Sequence, residues 1–137
     1  MAAFDCCSFE YDASKKVFAA HFSGPMTDES LKACYLNAAR YVEGREIHGA
    51  IIDLTGVGSF SVSAAGVRQL SVLEPLVPDP AVRYVIAPQA HIFGMARMFQ
   101  MVSPKAREKF HVVRSLSAAH DALGVTAQEF EPIPTLP

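Results

Sequence analysis

The residues whose types and spacing could do chemistry lie between His48 and Val67, in HGAIIDLTGVGSFSVSAAGV. Asp53 comes near the end of an apolar run from Ile47 to Leu54, and a Gly/Ser-rich stretch follows it, with Gly56, Gly58, Ser59, Ser61 and Ser63 leading to Ala64, Gly66 and Arg68. A carboxylate at a strand end, hydroxyls and the first N–H groups of a helix are what an anion site or an acid–base site is made from. Strand carboxyl ends and helix N-termini expose unsatisfied donors and the positive end of a dipole. Each residue also has a plain structural use. An aspartate closing a strand commonly accepts N–H bonds from the loop that follows, and a serine before a helix commonly caps it. Ser59 and Ser61 could bond an anion, but no Gly-x-x-x-x-Gly-Lys-Ser/Thr run is present, so a nucleotide-type phosphate cradle is not expected.

A second chemical candidate is the run from Ile92 to Val102. Phe93, Met95, Met98, Phe99, Met101 and Val102 cover more than one face of a helix. Methionine adapts to varied partners and phenylalanine supplies contact area, so this segment is either core or an apolar ligand or dimer surface. Other constellations are missing. The sequence holds no Gly-x-Ser-x-Gly elbow, no His-Glu-x-x-His, no Cys-x-x-Cys and no Gly-x-Gly-x-x-Gly, which removes the motif support for the commoner enzyme classes. His21, His48, His91, His111 and His120 show no ligand spacing and read as surface or edge histidines, so neither a metal nor a cofactor is expected. Cys6, Cys7 and Cys34 make no disulfide framework and read as small buried hydrophobes.

A chain of 137 residues has the length of one domain. Twelve basic against 14 acidic residues give a formal charge of -2, without the basic excess of a nucleic-acid binder. The start, MAAFDCCSFEYD, lacks a signal-peptide pattern and no window approaches a membrane span, so a soluble cytoplasmic protein is expected.

The elements that must position these residues follow from periodicity. Phe4 to Tyr11 and Val17 to Phe22 flank a polar turn and read as an antiparallel hairpin ended by Gly24-Pro25. Thr27 caps a helix with Leu31, Cys34, Tyr35, Ala38 and Val42 on one side, closed by Gly44. Ile47 to Leu54 is a buried strand, and Ser63 caps a helix reaching about Glu74. Val82 to Ala87 is the next strand, Ile92 to Val102 a helix, Phe110 to Arg114 the last strand, and Ser115 or Ser117 caps a final helix closed by Gly124. The expectation is α/β: a mixed β-sheet of about five strands with an N-terminal antiparallel hairpin, covered by about four helices. Residues 1–126 form the single domain and 127–137, with three prolines, an extended C-terminal tail.

With that order in place the sequence resembles the STAS domain family, the anti-sigma-factor antagonists and sulfate-transporter tails, and most of all its stand-alone bacterial branch. The residues carrying the resemblance are Phe22-Ser23-Gly24-Pro25-Met26-Thr27, Ile51-Ile52-Asp53-Leu54-Thr55-Gly56-Val57, Ala87-Pro88 with Phe93-Gly94-Met95-Ala96-Arg97-Met98-Phe99, and Val112-Val113-Arg114-Ser115-Leu116 with the alanines after it. The match spans about residues 4 to 124 and depends mainly on element order. It implies a non-enzymatic regulatory, protein-binding module with an unidentified protein partner. In that branch a serine at the N-terminus of the helix after the Asp-bearing strand is phosphorylated, usually in an Asp-Ser-Ser-Gly run. Placing Gly66 on the glycine puts Ser63 on the aspartate and Ala64 on the phosphoserine, so the standard switch is not expected unless Ser61 or Ser63 replaces it. Asp53, Ser59, Ser61, Ser63, Ala64, Gly66 and Arg68 are the partner-binding candidates. The alternatives are a binder of a small apolar or lipid-like ligand through Phe93, Met95, Met98 and Phe99, with a homodimer contact on the same helix, and an enzyme with an unrecognised site at Asp53 and the Ser59–Ser63 loop. The enzyme would need a histidine and a nucleophilic hydroxyl beside Asp53.

Overall fold

The computed structural model describes residues 7–71, 81–102 and 109–134. The chain runs β1 (Cys7–Asp12), β2 (Val17–Thr27), α1 (Asp28–Val42), β3 (Gly49–Ser61), α2 (Ala64–Ser71), β4 (Val82–Ile86), α3 (Ala90–Val102), β5 (Phe110–Val113), α4 (Leu116–Leu123), a 3-10 turn (Ala127–Glu129) and β6 (Glu131–Pro132). One sheet orders its strands β5-β4-β3-β2-β1-β6. Pairing is parallel from β2 through β5 and antiparallel at β1–β2 and β1–β6. This is the expected mixed α/β, STAS-like architecture, with one strand more.

Side-chain alternation gives the sheet two buried faces. Phe18, Ala20, Phe22, Ala50, Leu54 and Val85 face the layer that receives Cys34, Ala38 and Tyr41 of α1, Val67 of α2 and Ile92 of α3. Val17, Ala19, Ile51 and Ile86 face the other way, onto Ala119 of α4, Val125 and Phe130. The caps follow the sequence. Thr27 and Ser30 form a reciprocal capping box on α1, Ser115 accepts from the Ala118 N–H, and Gly124 ends α4 in the left-handed conformation.

Three boundaries differ from expectation. Gly24-Pro25 does not end β2, and the stretch after Leu54 is not a loop: β2 and β3 stay paired in parallel as far as Thr27 opposite Ser61. Register shifts between His21 and Ser23 and between Gly24 and Pro25 absorb the positive φ of Gly24 and the missing donor of Pro25. Pairing with a neighbouring strand therefore overrides the weak strand propensity of the Gly/Ser run. Of 127–137, expected as an extended tail, the described residues 127–134 turn back: Phe130 is buried and β6 pairs with Glu10 and Tyr11. Pro132 on that edge leaves one N–H fewer for an incoming strand. The expected continuation of α2 to Glu74 lies outside the described residues, as do Phe4 and Cys6.

Candidate regulatory junction

The N-termini of α1 and α2 meet beside the carboxyl ends of β2 and β3. Ser63, one residue before α2, has three uses at once. Its Oγ accepts the Gly66 N–H at 3.0 Å, donates to Asp28 Oδ2 at 2.6 Å, and its N–H donates to Asp28 Oδ1 at 2.7 Å. Ser63 is thus the helix cap the sequence indicated. Asp28 is its unforeseen partner, 35 residues away in sequence. The Ser63 hydroxyl and N–H hold the exposed Asp28 carboxyl below its ordinary range. A Cβ added to Gly66 would fall inside the Asp28 carboxylate, so glycine at 66 is what lets the two helix ends close up. The carboxylate sits at the positive end of α2, where an anion would otherwise be drawn.

The other expected residues lie around this lock. Ser59, Ser61, Ala64 and Arg68 are exposed, Gly66 half-buried. Gln89 donates to the Val57 carbonyl at 3.2 Å and His91 meets the Phe60 ring edge-on, which fixes the start of α3 against the extension of β3. Ser59, Ser61, Ala64 and Arg68 with Pro25 therefore form a rim on rigid elements, and not on a loop.

Asp53 follows Ile51 by two residues and shares its sheet face, the side of the second core. Its Oδ1 accepts the Thr55 N–H at 2.9 Å and its Oδ2 meets His21 Nδ1 at 2.7 Å, while His21 Nε2 meets Glu10 Oε1 at 2.7 Å. One imidazole thereby joins carboxylates on β1 and β3 across β2. Burial raises the Asp53 carboxyl, but the bonds from His21 and Thr55 outweigh it and hold the group below its ordinary value. The Asp53 bond raises the His21 pKa most; burial opposes it and the Glu10 bond adds to the rise. With a carboxylate on each nitrogen, His21 as the imidazolium donates twice and has no nitrogen left to accept a proton from a hydroxyl. The histidine that an enzyme reading required beside Asp53 is present, with a carboxylate on each ring nitrogen. His21, expected as a surface or edge histidine, lies instead on β2 inside the sheet, where it alternates with Val17 and Ala19 onto the second-core face. Of the other histidines, His111 stacks on Tyr84, His120 stacks on Phe130, His91 meets Phe60 edge-on and His48 contacts Glu46.

On α3, Ile92 is buried, Phe93, Met95, Met98 and Phe99 are half-buried against the core, and Met101 and Val102 are exposed. Arg114 covers the Phe93 ring at 4.4 Å. A partly open cavity of about 100 Å³ lies between the sheet and helices α1 to α3. Phe22, Leu31, Tyr35, Val67, Met95 and Phe99 are among its apolar walls; among the named candidates Phe93 and Met98 do not line it.

Among the described residues no group of three or more His, Cys, Asp or Glu is placed to hold a metal ion, and no helix is long and apolar enough to cross a membrane. No protein-family model matches the sequence, and no curated protein does. A solved structure described as "The overall structure of SLC26A9" is similar to 82% of this chain with a TM-score of 0.52 and 16% identity. The alignment covers 20% of that structure's chain, so the present chain corresponds to about a fifth of it, and the likeness is one of fold.

Proposed function

We propose that this chain is a STAS-type regulatory module that docks a protein partner on the rim formed by Pro25, Ser59, Ser61, Ala64 and Arg68, and that it does so without a phosphoserine switch. The fold shared with the SLC26A9 structure and the resemblance to anti-sigma-factor antagonists support the class of module. The observation that carries the rest is the Asp28–Ser63–Gly66 lock: the hydroxyl nearest the expected phosphosite already caps α2 and is already bonded to a carboxylate. The residue at the expected phosphoserine position is Ala64, which has no hydroxyl. An internal carboxylate fills the anion position, leaving the shape of the exposed rim for recognition. The bacterial antagonist branch and a cytoplasmic setting belong to this reading.

The test is capture of a partner from the native host by the intact chain and by Ser61→Arg/Arg68→Glu, with phosphorylation mapped by mass spectrometry. The proposal expects capture lost in the double variant at unchanged circular dichroism, and no phosphate at Ser61 or Ser63. Equal capture by both chains, or stoichiometric phosphate on Ser63, overturns it.

The cavity favours a second reading, a binder of a small apolar ligand. The partly open cavity of about 100 Å³ has apolar walls and could admit an aromatic ring or a short alkyl chain. Indole and octanoate should then raise the melting temperature of the intact chain but not of Ala96→Leu, which fills the cavity from α3. Equal shifts in both, or none, remove this reading.

A further inference from the structure

Cys7 opens β1 and Cys34 lies in the interior of α1, 27 residues on, yet the Cys7 thiol meets the Cys34 sulfur at 2.6 Å. Cys34 is fully buried and Cys7 half-buried, and no disulfide joins them. Two sulfurs at that separation are inside nonbonded contact and about 0.6 Å beyond the S–S bond of about 2.05 Å. Small-hydrophobe packing explains why cysteines are buried here, but it does not require two of them to face each other across separate elements.

We propose that Cys7 and Cys34 form a thiol pair that small-molecule disulfides oxidise to an intramolecular disulfide joining β1 to α1. The more accessible Cys7 thiolate attacks one sulfur of oxidised glutathione, forming a mixed disulfide and releasing one glutathione thiolate, which takes up a proton. The Cys34 thiolate then attacks the Cys7 sulfur, breaking the mixed disulfide and releasing the second glutathione. Two protein thiols lose two electrons and two protons, and one glutathione disulfide becomes two glutathione thiols. The roles follow from burial: Cys34 is out of reach of a tripeptide but adjacent to the sulfur it must attack. The S–H bond from Cys7 lowers the Cys34 pKa against the opposing effect of burial, which favours the thiolate needed in the second step. The bond would fix α1, whose first turn carries Asp28, against the hairpin.

The experiment uses the full chain carrying Cys6→Ser, so that only the two thiols remain, reduced and then incubated natively with oxidised glutathione. The expected product is a monomer lighter by two hydrogens, whose proteolytic map joins the Cys7 and Cys34 peptides and which retains no glutathione. Cys34→Ala should instead hold one glutathione on Cys7, and Cys7→Ala should stay unmodified until urea exposes Cys34. Near-ultraviolet circular dichroism checks that each variant folds. Thiols that remain reduced under native conditions, a stable glutathione adduct on the two-thiol chain, or a disulfide between molecules overturns the proposal.

Discussion

Replacing His21 by leucine should destabilise the fold by an amount that depends on pH in a defined direction. The ring links Asp53, whose side chain is 11% exposed, and Glu10, at 31%, while its own side chain is 26% exposed. Breaking a fully buried ion pair costs about 3–5 kcal/mol, and losing a hydrogen bond to a charged group about 1.5–3 kcal/mol. A bridge this far out of water but open on one side should cost about 2–3 kcal/mol when removed at pH 5, a fall in melting temperature of roughly 6–10 °C for a chain of this size. The folded pKa of His21 is raised above its ordinary 6.5, so the folded state holds that proton more tightly and the stabilisation is complete below 6.5. It is lost as pH rises through the folded pKa, at about 1.4 kcal/mol for each unit of elevation. Asp53 is lowered from 3.8, so its contribution is present above 3.8 and lost as pH falls through its folded value. The stability gap between the intact chain and His21→Leu is therefore widest between 3.8 and 6.5 and narrows toward pH 9. Urea unfolding at pH 5, 7 and 9, with an NMR titration of the His21 ring, measures both quantities. A ring titrating at or below 6.5, or a gap unchanged from pH 5 to 9, refutes the bridge.

At the junction, Gly66→Ala should destabilise the intact chain, because the new methyl displaces Asp28 from Ser63. In an Asp28→Ala background the same change should stabilise by about 0.5 kcal/mol, since only the helix preference of alanine remains. Chemical denaturation of the four chains reads the reversal, and the same sign in both backgrounds refutes the close approach. Ser63→Ala should cost about 1 kcal/mol through the lost cap, measured the same way; no change would mean that Ser63 does not hold α2. Phe130→Ala should cost about 3 kcal/mol, and a chain ending at Thr126 at least as much, because residues after 126 complete the second core and the sheet edge. Thermal melts that leave either chain unchanged would show that this segment does not pack.

The parts of the fold that were legible in the sequence are those set by local rules. Thr27, Ser63 and Ser115 announced helix starts because a short oxygen-bearing side chain before an apolar periodic run has few other uses, and Gly124 announced a stop. The helix order was readable because each apolar stripe stops at Gly, Pro or a polar cluster. Long-range register was not. The β2–β3 ladder runs through Gly24-Pro25 and Gly56–Ser61, where every local signal says turn, because parallel pairing supplies hydrogen bonds that propensity does not anticipate. The same gap hid the functional geometry: Asp53 needs the β2–β3 register to meet His21, Asp28 needs two helix ends to converge, and Cys7 needs α1 folded over the hairpin. The hairpin turn alone would have placed Glu10 opposite Ala19, diagonal to His21.

The Asp28–Ser63 contact also bears on how a modification at this junction could act. Both Asp28 oxygens are directed at Ser63, one to its hydroxyl and one to its N–H. A phosphate on Ser63 Oγ would remove the donated hydrogen and place nearly two negative charges against a carboxylate, so the two anions compete for one helix terminus. Asp28 is the first residue of α1 and is fixed there by the Thr27–Ser30 capping box. It cannot retreat far without loosening that first turn. Any anion added at Ser63 would therefore act on α1 as well as on α2, which Ser63 caps, and α1 is the helix that carries Cys34. Acid should loosen the same contact: as pH falls below 3.8 through the lowered Asp28 value, the protonated carboxyl loses its charge-assisted bonds from Ser63. Hydrogen exchange at the Ser63 and Gly66 amides should then quicken relative to the α4 amides after correction for intrinsic rates. Unchanged protection at both amides would show that the carboxylate does not hold the junction closed.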